Sequence, residues 1–209
     1  MMDSNAGPCV FLVDDDSSVR KALKRVLVAK GFNVAVFSSA ADFLTSYDPN
    51  IEGCLVLDIN MPDMDGIELQ NFLVDHDSIL PIIFLTGHGD IPMSVSAMRH
   101  GAADFLTKPA DTDLLVTAIS RAFDKSRLDH QALLERLAIK RRLALLTVRE
   151  RQVLEHLIGG RLNKQVAADL GTVEKTIKVH RSRIMEKMQV RSLVELARLC
   201  EQVGIKPAR

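Results

Sequence analysis

Acidic, hydroxyl and amine side chains follow four short apolar runs of the chain, at the point where each run ends. Asp14 and Asp15 come after the first run, Asp58 ends the second, Thr86 ends the third, and Lys108 follows the fourth. Buried parallel strands have this pattern, and their carboxyl ends form the ligand crevice of an open sheet. Three carboxylates, a hydroxyl and an amine there could hold a divalent cation and a phosphoryl group.

Five strand–helix units must position these side chains. The strands are predicted near residues 9–14, 33–37, 54–58, 81–86 and 103–107. The helices are predicted near residues 17–30, 40–47, 66–77 and 91–100, and from residue 112 onward. Alternation of strands and helices with right-handed crossovers predicts an α/β fold, a doubly wound five-stranded parallel sheet.

The charge of the chain is unevenly distributed although its net charge is zero. Residues 1–120 contain 7 Lys and Arg against 17 Asp and Glu, whereas residues 121–209 contain 20 against 10. This asymmetry predicts an acidic domain followed by a basic one that binds a polyanion. No apolar run approaches the ~20 residues that span a bilayer, and no secretion signal is recognisable, so we expect a cytoplasmic protein.

A junction between the two halves is predicted near residues 120–146. Residues 121–142 contain neither Gly nor Pro and are rich in helix formers, which favours a charged helix that continues the last helix of the first domain. Its leucines keep no strict heptad spacing. We therefore predict a first domain over residues 1–120, a linker helix over 121–142 and a second domain over 143–209.

The second domain is predicted to be a small all-α domain of four helices. Thr147 followed three residues later by Glu150 is a capping box, and Gly159-Gly160 ends the helix that it opens. Two short helices joined by a turn at Gly171 form a helix-turn-helix. The helices after the first are predicted over residues 163–170, 174–187 and 192–202.

The third helix of this domain has two contrasting faces. Its apolar face, suited to a domain core, consists of Ile177, Ile184 and Met188. Its opposite face carries Lys175, Lys178, Val179 and Ser182. This face would enter the DNA major groove, where lysines meet phosphates and an exposed valine meets a thymine methyl. The predicted DNA contacts are Lys164, Lys175, Thr176, Lys178, Val179, Ser182 and Arg183.

Five segments of the first domain occur in a distinctive order at the predicted strand ends. They are Asp14-Asp15, Asp58, Met61–Gly66, Thr86-Gly87 and Lys108-Pro109. Through these segments, residues 8–120 resemble the receiver domain of two-component response regulators, and the stretch from Thr86 to Val95 is similar to the subfamily of FixJ, TodT and StyR. One departure is Ala110, where many relatives carry Phe.

This resemblance implies a role for each residue at the sheet edge. Asp58 would be the phosphoacceptor, with Lys108 and Thr86 contacting the phosphoryl oxygens. Thr86 and Phe105 would form a switch that changes the shape of the last two strand–helix units. The implied ligands of Mg²⁺, or of Mn²⁺ in its place, are Asp14, Asp15, Asp58 and the backbone carbonyl of Asn60.

Other polar residues near these motifs are predicted to have structural roles. Asp16, Asp63 and Asp65 are predicted caps or turn residues, because short carboxylates bond readily to nearby backbone N–H groups. Either Asp16 or Ser17 would cap the first helix. His88 is predicted to make a surface hydrogen bond, and His180 to pack beside the apolar face of its helix.

Residues 146–188 resemble the DNA-binding domain of the LuxR/NarL/FixJ class. The matching segments are Thr147-x-Arg149-Glu150, Asn163–Ala167 and Thr176–His180. A departure is Val173, where relatives often carry a serine cap before the third helix. Thr172 is the alternative cap, with a shifted helix start.

The two resemblances together imply a transcription regulator of a two-component system. A sensor histidine kinase would phosphorylate Asp58, and the protein would then form a homodimer and bind promoter DNA. RNA polymerase is a further candidate partner, and no membrane partner is expected. The receiver would act only on its own phosphoryl group, so the protein would not be an enzyme with a turnover substrate.

Three alternatives remain at this point. The receiver could regulate transcription without phosphorylation. A phosphatase of the haloacid-dehalogenase type would use Asp14 as its nucleophile, although the Gly-Asp pair of that class does not follow Lys108. A LuxR-type quorum sensor would need an aromatic-lined pocket, whereas the chain has no Trp and only one Tyr, Tyr47.

Overall fold

The chain divides into two compact units, Met1–Gln131 and Ala132–Arg209. The computed structural model describes residues 7–49, 51–87, 98 and 100–208. The helix predicted near residues 91–100 and the predicted role of His88 therefore lie outside the described residues.

The first unit is built on a parallel sheet, which confirms the predicted doubly wound α/β fold. Its strands are β1 (Cys9–Val13), β2 (Asn33–Phe37), β3 (Gly53–Asp58), β4 (Ile82–Thr86) and β5 (Asp104–Thr107). All neighbours pair in parallel, in the order β2-β1-β3-β4-β5. The described helices are α1 (Ser17–Ala29), α2 (Ala40–Ser46) and α3 (Gly66–Asp75), and α4 (Thr112–Ala144) begins after β5.

Apolar side chains cover both faces of this sheet. Every residue of β1, β3 and β4 is buried, which explains why these strands read as continuous apolar runs. Successive residues of a strand point to opposite faces. Phe11 accordingly packs edge-on against Phe43 on one face, with ring centroids 5.8 Å apart, whereas Leu12 joins Leu27 and Ile119 on the other.

Helix α4 is 33 residues long and covers the predicted linker at residues 121–142. In the first unit, it buries Leu115, Ile119 and Ala122, whose spacing of four and three residues marks one helix face. In the second unit, the last turns of α4 bury Ile139 and Leu143.

The second unit contains the predicted helix-turn-helix. After the end of α4 come α5 (Val148–Ile158), α6 (Asn163–Asp169), α7 (Glu174–Met188) and α8 (Leu193–Gln202). The predicted capping box is present: Thr147 Oγ1 accepts from the Glu150 N–H at 3.2 Å, and Glu150 Oε2 accepts from the Thr147 N–H at 2.9 Å. Gly171, at the turn between α6 and α7, has a φ of 61°, which glycine adopts without steric cost.

The predicted alternative cap of α7 is wrong. Val173 occupies the N-cap position and makes no side-chain cap hydrogen bond, and the helix begins at Glu174. The Thr172 N–H instead donates to the Ala167 carbonyl at 2.9 Å, which closes the turn after α6. Thr172 is thereby committed to the turn, one residue outside the cap position.

Candidate functional site

Strand register brings the predicted site residues to one edge of the sheet. Val13 of β1 pairs with Leu57 of β3. The residues that follow them, Asp14 and Asp58, therefore lie side by side at the carboxyl ends of the two strands. On the far side of β3, Asp58 pairs with Leu85, directly before Thr86. Thr86 pairs in turn with Thr107, which places Lys108 at the same edge.

Three carboxylates converge at this edge. Oxygen atoms of Asp14, Asp15 and Asp58 all lie within 4.8 Å of one another. Asp14 is fully buried and Asp58 nearly so, whereas Asp15 is exposed. The cluster therefore combines two carboxylates shielded from water with one that faces it, which is a hard-oxygen donor set open on one side.

The Lys108 ammonium group lies between two of these carboxylates. Its Nζ atom is 2.6 Å from Asp14 Oδ2 and 3.0 Å from Asp58 Oδ2. Burial alone would lower the pKa of Lys108, but the two carboxylates outweigh burial and raise its pKa. Burial raises the pKa of Asp58, although Lys108 offsets part of that effect by favouring the carboxylate. Lys108 is therefore a fixed positive charge beside Asp58.

The loop after β1 is held by its own side chains. Asp14 Oδ1 accepts from the Asp16 N–H at 2.8 Å, and the Asp14 carbonyl accepts from Nη1 of Arg20. Asp16 caps α1, as predicted, because its carboxylate accepts from the N–H groups of Ser18 and Val19. Sequence reasoning missed Arg20, whose only signal was its position one turn into α1.

The segment after β3 is shaped by a close backbone approach. A Cβ atom on Gly66 would lie 2.4 Å from the Asp58 carbonyl oxygen, so no other residue fits without a shift. Asp65 forms a capping box with Glu68 at the start of α3, and Asp63 has a φ of 67° in the turn before it. The predicted cap and turn roles of Asp63 and Asp65 are thus confirmed.

The remaining predicted residues of the first unit lie around this edge. Thr86 is buried at the end of β4. Phe105 is partly buried in β5, with its ring centroid 6.4 Å from that of Phe84. The exposed Asn60 lies two residues after Asp58, and its backbone N–H makes a small contribution that lowers the pKa of Asp58, against the larger effect of burial. Ala110 packs against the apolar cluster beneath α1 and α4.

Helix α7 has the two faces that its sequence predicts. Its predicted apolar face, Ile177, Ile184 and Met188, has no exposed surface. Val179 is 44% exposed on the other side. Among the predicted DNA contacts, Thr176 is partly buried, and the exposed ones are Lys164, Lys175, Lys178, Val179, Ser182 and Arg183. The second unit thus presents a basic helix face with one apolar side chain.

Two details of α7 modify this face. Lys178 pairs with Glu174 one turn earlier, at 3.0 Å, so its ammonium group already has an acidic neighbour. His180 is partly buried, and its Nδ1 atom lies in the interior, as expected of a packed histidine.

Over the described ranges of the chain, no helix is both long and apolar enough to cross a membrane.

Two family models match the two units. The model described as "Response regulator receiver domain" matches residues 10–120, and the model described as "Bacterial regulatory proteins, luxR family" matches residues 144–200. Together they account for the acidic edge of the sheet and for the helix-turn-helix. The first match excludes a quorum sensor, whose first domain would be of another family.

Relatives match the chain over nearly its whole length. The chain is 41% identical over 196 residues to nodulation protein W of Bradyrhizobium diazoefficiens, covering 94% of this chain and 86% of that protein. It is 40% identical over 199 residues to the transcriptional regulatory protein FixJ of Azorhizobium caulinodans, covering 95% and 94%. Among solved structures, response regulator StyR has 46% identity and a TM-score of 0.81, covering 94% of this chain and 100% of that one. The chain therefore belongs to the transcriptional response regulators of two-component systems that join a receiver domain to a LuxR-type DNA-binding domain.

Proposed function

We propose that a sensor histidine kinase phosphorylates Asp58 and that the phosphorylated protein binds promoter DNA as a homodimer. The observation that carries this proposal is the position of Lys108 Nζ, 3.0 Å from Asp58 Oδ2, beside three clustered carboxylates. A regulator that acts through its own DNA-binding domain needs no turnover substrate. Its site of action would be the bacterial cytoplasm, with RNA polymerase as a further candidate partner.

The chemistry at Asp58 requires its ionised form. A carboxylate oxygen attacks the phosphorus atom of a phosphohistidine, the new O–P bond forms, and the N–P bond to the histidine breaks. Lys108 favours the carboxylate before transfer and can contact the phosphoryl oxygens afterwards, as can the hydroxyl of Thr86.

The clustered carboxylates fit a divalent cation. Mg²⁺ prefers oxygen ligands and keeps several waters, and Asp15 is exposed next to the buried Asp14 and Asp58. We propose that these three carboxylates and the carbonyl of Asn60 hold Mg²⁺ or Mn²⁺. A bound cation supplies positive charge that offsets the repulsion between these carboxylates and an incoming phosphoryl group.

Asp15→Ala should lower Mg²⁺ affinity far more than Asp63→Ala. Loss of an outer hydrogen-bond partner typically costs a metal site about 10–100-fold in affinity, and loss of a ligand should cost at least as much. Asp63 carries the same charge, but its role is a turn with a φ of 67°. Isothermal titration of both variants with MgCl₂ measures the difference, and equal losses would refute the ligand assignment.

The switch proposal rests on Thr86 and Phe105. Capture of the phosphoryl group would draw the Thr86 hydroxyl toward Asp58 and vacate space that the Phe105 ring can enter. The last two strand–helix units would then present a different surface, on which the dimer forms. Partial exposure of Phe105 supports this proposal, because a fully packed ring would have less freedom to turn.

Val179→Ala and Lys178→Ala should impair DNA binding in different ways. If Val179 meets a thymine methyl, its truncation should relax specificity at one base position and cost about 1 kcal/mol. A lysine on phosphate should instead weaken binding to all sequences and reduce the salt slope by about one. A lysine that reads guanine would behave like the valine with a larger loss.

Selection from a randomised DNA pool, followed by titration at several salt concentrations, separates these effects. Unchanged base preferences in the Val179→Ala protein would show that this face of α7 does not read the groove. Val194, 80% exposed on α8, provides a matched Val→Ala control whose base preferences should equal those of the wild type.

Chromatin mapping tests the whole proposal in cells. Wild type and Asp58→Asn should differ in the sites that they occupy when the stimulus is present. Equal occupancy would favour a receiver that acts without phosphorylation. The phosphatase alternative is disfavoured by Asp14 itself, because its carboxylate has no exposed surface and its Oδ1 atom already accepts from the Asp16 N–H.

A further inference from the structure

The first turn of α5 contacts both helices of the helix-turn-helix. It contains the Thr147-x-Arg149-Glu150 motif, whose threonine and glutamate form the capping box. Capping alone does not explain Arg149, and it does not require a buried carboxylate. Both side chains extend beyond their own helix, to residues more than 20 positions later in the chain.

Glu150 reaches α7, the second helix of the helix-turn-helix. Its side chain is 3% exposed, and its Oε2 atom accepts from Lys187 Nζ at 2.7 Å. Lys187 lies in the last turn of α7, and its ammonium group also donates to the Leu145 carbonyl at 3.1 Å. One ammonium group thus ties the C-terminal end of α7 to both the start of α5 and the loop before it.

Arg149 reaches the other helix of the motif. Its Nη2 atom donates to the Leu170 carbonyl at 2.5 Å, and its Nη1 atom donates to Gln152 Oε1 at 3.0 Å. Leu170 is the C-cap residue of α6. Carbonyls at helix ends lack partners within the helix, so a guanidinium group is an effective anchor there.

We propose that Arg149 and Glu150 are positioning residues for DNA recognition. Arg149 holds the end of α6, and Glu150 holds the end of α7 through Lys187. The inference rests on the proposed recognition face of α7. Neither residue belongs to the predicted DNA contacts, so each would act through the helix that it holds.

Because α7 is long, a small tilt at the end that Lys187 anchors displaces the other end of the helix. From Lys187 back to Lys175, α7 rises 12 residues, or about 18 Å. A tilt of about 10° around the anchored end would move Lys175 by about 3 Å, given that length. Hydrogen bonds to base edges tolerate far smaller displacements, whereas attraction to phosphates falls only slowly with distance. Loss of the anchor should therefore reduce specificity more than general affinity.

The test measures specific and non-specific DNA affinity of the full-length protein. The probes are a duplex selected by the wild type from a randomised pool and a scrambled duplex of equal length. Glu150→Gln and Lys187→Gln are compared with Glu186→Gln and Lys140→Gln, which make the same charge changes at exposed positions. Thermal melts identify a temperature at which every variant is folded.

We expect each variant of the Glu150–Lys187 pair to lower the ratio of specific to non-specific affinity by about 10-fold, the effect of losing one base contact. The exposed controls should leave that ratio unchanged. Both substitutions break the Glu150–Lys187 pair, and Lys187→Gln also loses the bond to the Leu145 carbonyl, so the double variant should be no worse than Lys187→Gln. Lys187→Arg, which keeps the charge and the donors, should restore most of the ratio.

Other results would overturn the proposal. A lowered melting temperature with an unchanged ratio would show that the pair only stabilises the fold, and additive losses would show two independent roles. If Glu150→Gln fails to fold, Lys187→Gln and Lys187→Arg decide alone, because the Lys187 side chain is 32% exposed.

The role of Arg149 is tested with a separate variant. Arg149→Lys keeps the charge but loses the paired donors, and it should lower the same ratio with little change in non-specific affinity. A wild type that selects no sequence would overturn the recognition face and this inference together. If Val179→Ala changes the base preferences but all anchor variants keep the wild-type ratio, only the positioning role of Arg149 and Glu150 is overturned.

Discussion

Asp58→Asn should abolish covalent labelling of the protein by a small acyl phosphate donor in the presence of Mg²⁺. The amide cannot supply the anionic oxygen that attacks phosphorus. Among the described residues, Asp14 also contacts Lys108, but Asp58 is the one at the end of β3. Intact-protein mass spectrometry measures the added phosphoryl group. In the wild type, the bond should be stable in acid and labile in base, as expected of an acyl phosphate.

Asp14→Asn is the matched control for this prediction. It removes one partner of Lys108, which Asp58 still holds at 3.0 Å, and it weakens the cation site. Labelling should therefore slow down but persist at Asp58. The reverse result, with labelling lost in Asp14→Asn and retained in Asp58→Asn, would contradict the assigned nucleophile and revive the phosphatase alternative.

Ile184→Ala should destabilise the DNA-binding unit by about 2–5 kcal/mol of unfolding free energy, as is usual for a buried Ile truncated to Ala. Ile184 has no exposed surface and packs in the cluster that includes Val153, Leu157 and Leu196. Its truncation removes buried methyl groups and leaves a cavity that the rigid helices fill only in part.

Local unfolding measurements suit this prediction, because a chain of two compact units need not unfold in one step. Hydrogen exchange of peptides from α5 to α8 reports on the second unit. Fluorescence of Tyr47, the only tyrosine of a chain without tryptophan, reports on the first. Val194→Ala, at an 80% exposed position, is the control, with an expected change within about 0.5 kcal/mol. If peptides of the Ile184→Ala protein exchange as slowly as those of the Val194→Ala control, the result contradicts the burial of Ile184.

Local patterns in the sequence predicted much of the fold. The five strands and most of the helices were recognisable from apolar runs and caps, since hydrophobic periodicity and capping act over a few residues. The ends of β1, β3, β4 and β5 placed Asp14, Asp58, Thr86 and Lys108 at one edge, because parallel strands align their carboxyl ends. The resemblance to receivers then supplied roles that periodicity does not contain.

Local rules also had limits, as the start of α7 shows. Thr172 was a reasonable alternative cap by residue type. A hydrogen bond from its N–H back to Ala167 keeps it in the turn instead, and α7 begins without a side-chain cap. Which residue caps a helix depends on how the chain enters it, and the path of the preceding turn decides that.

The sequence by itself determined which residues the chain carries to the sheet edge and to the exposed face of α7. Only the tertiary structure decided how those residues divide their contacts. Asp14 and Asp15 are neighbours in sequence, yet one is fully buried against Lys108 and the other faces solvent. Lys187 and Glu150 are 37 positions apart, yet they share a hydrogen bond. Burial and long-range pairing arise when separate elements pack together, so no local pattern of residue types can specify them.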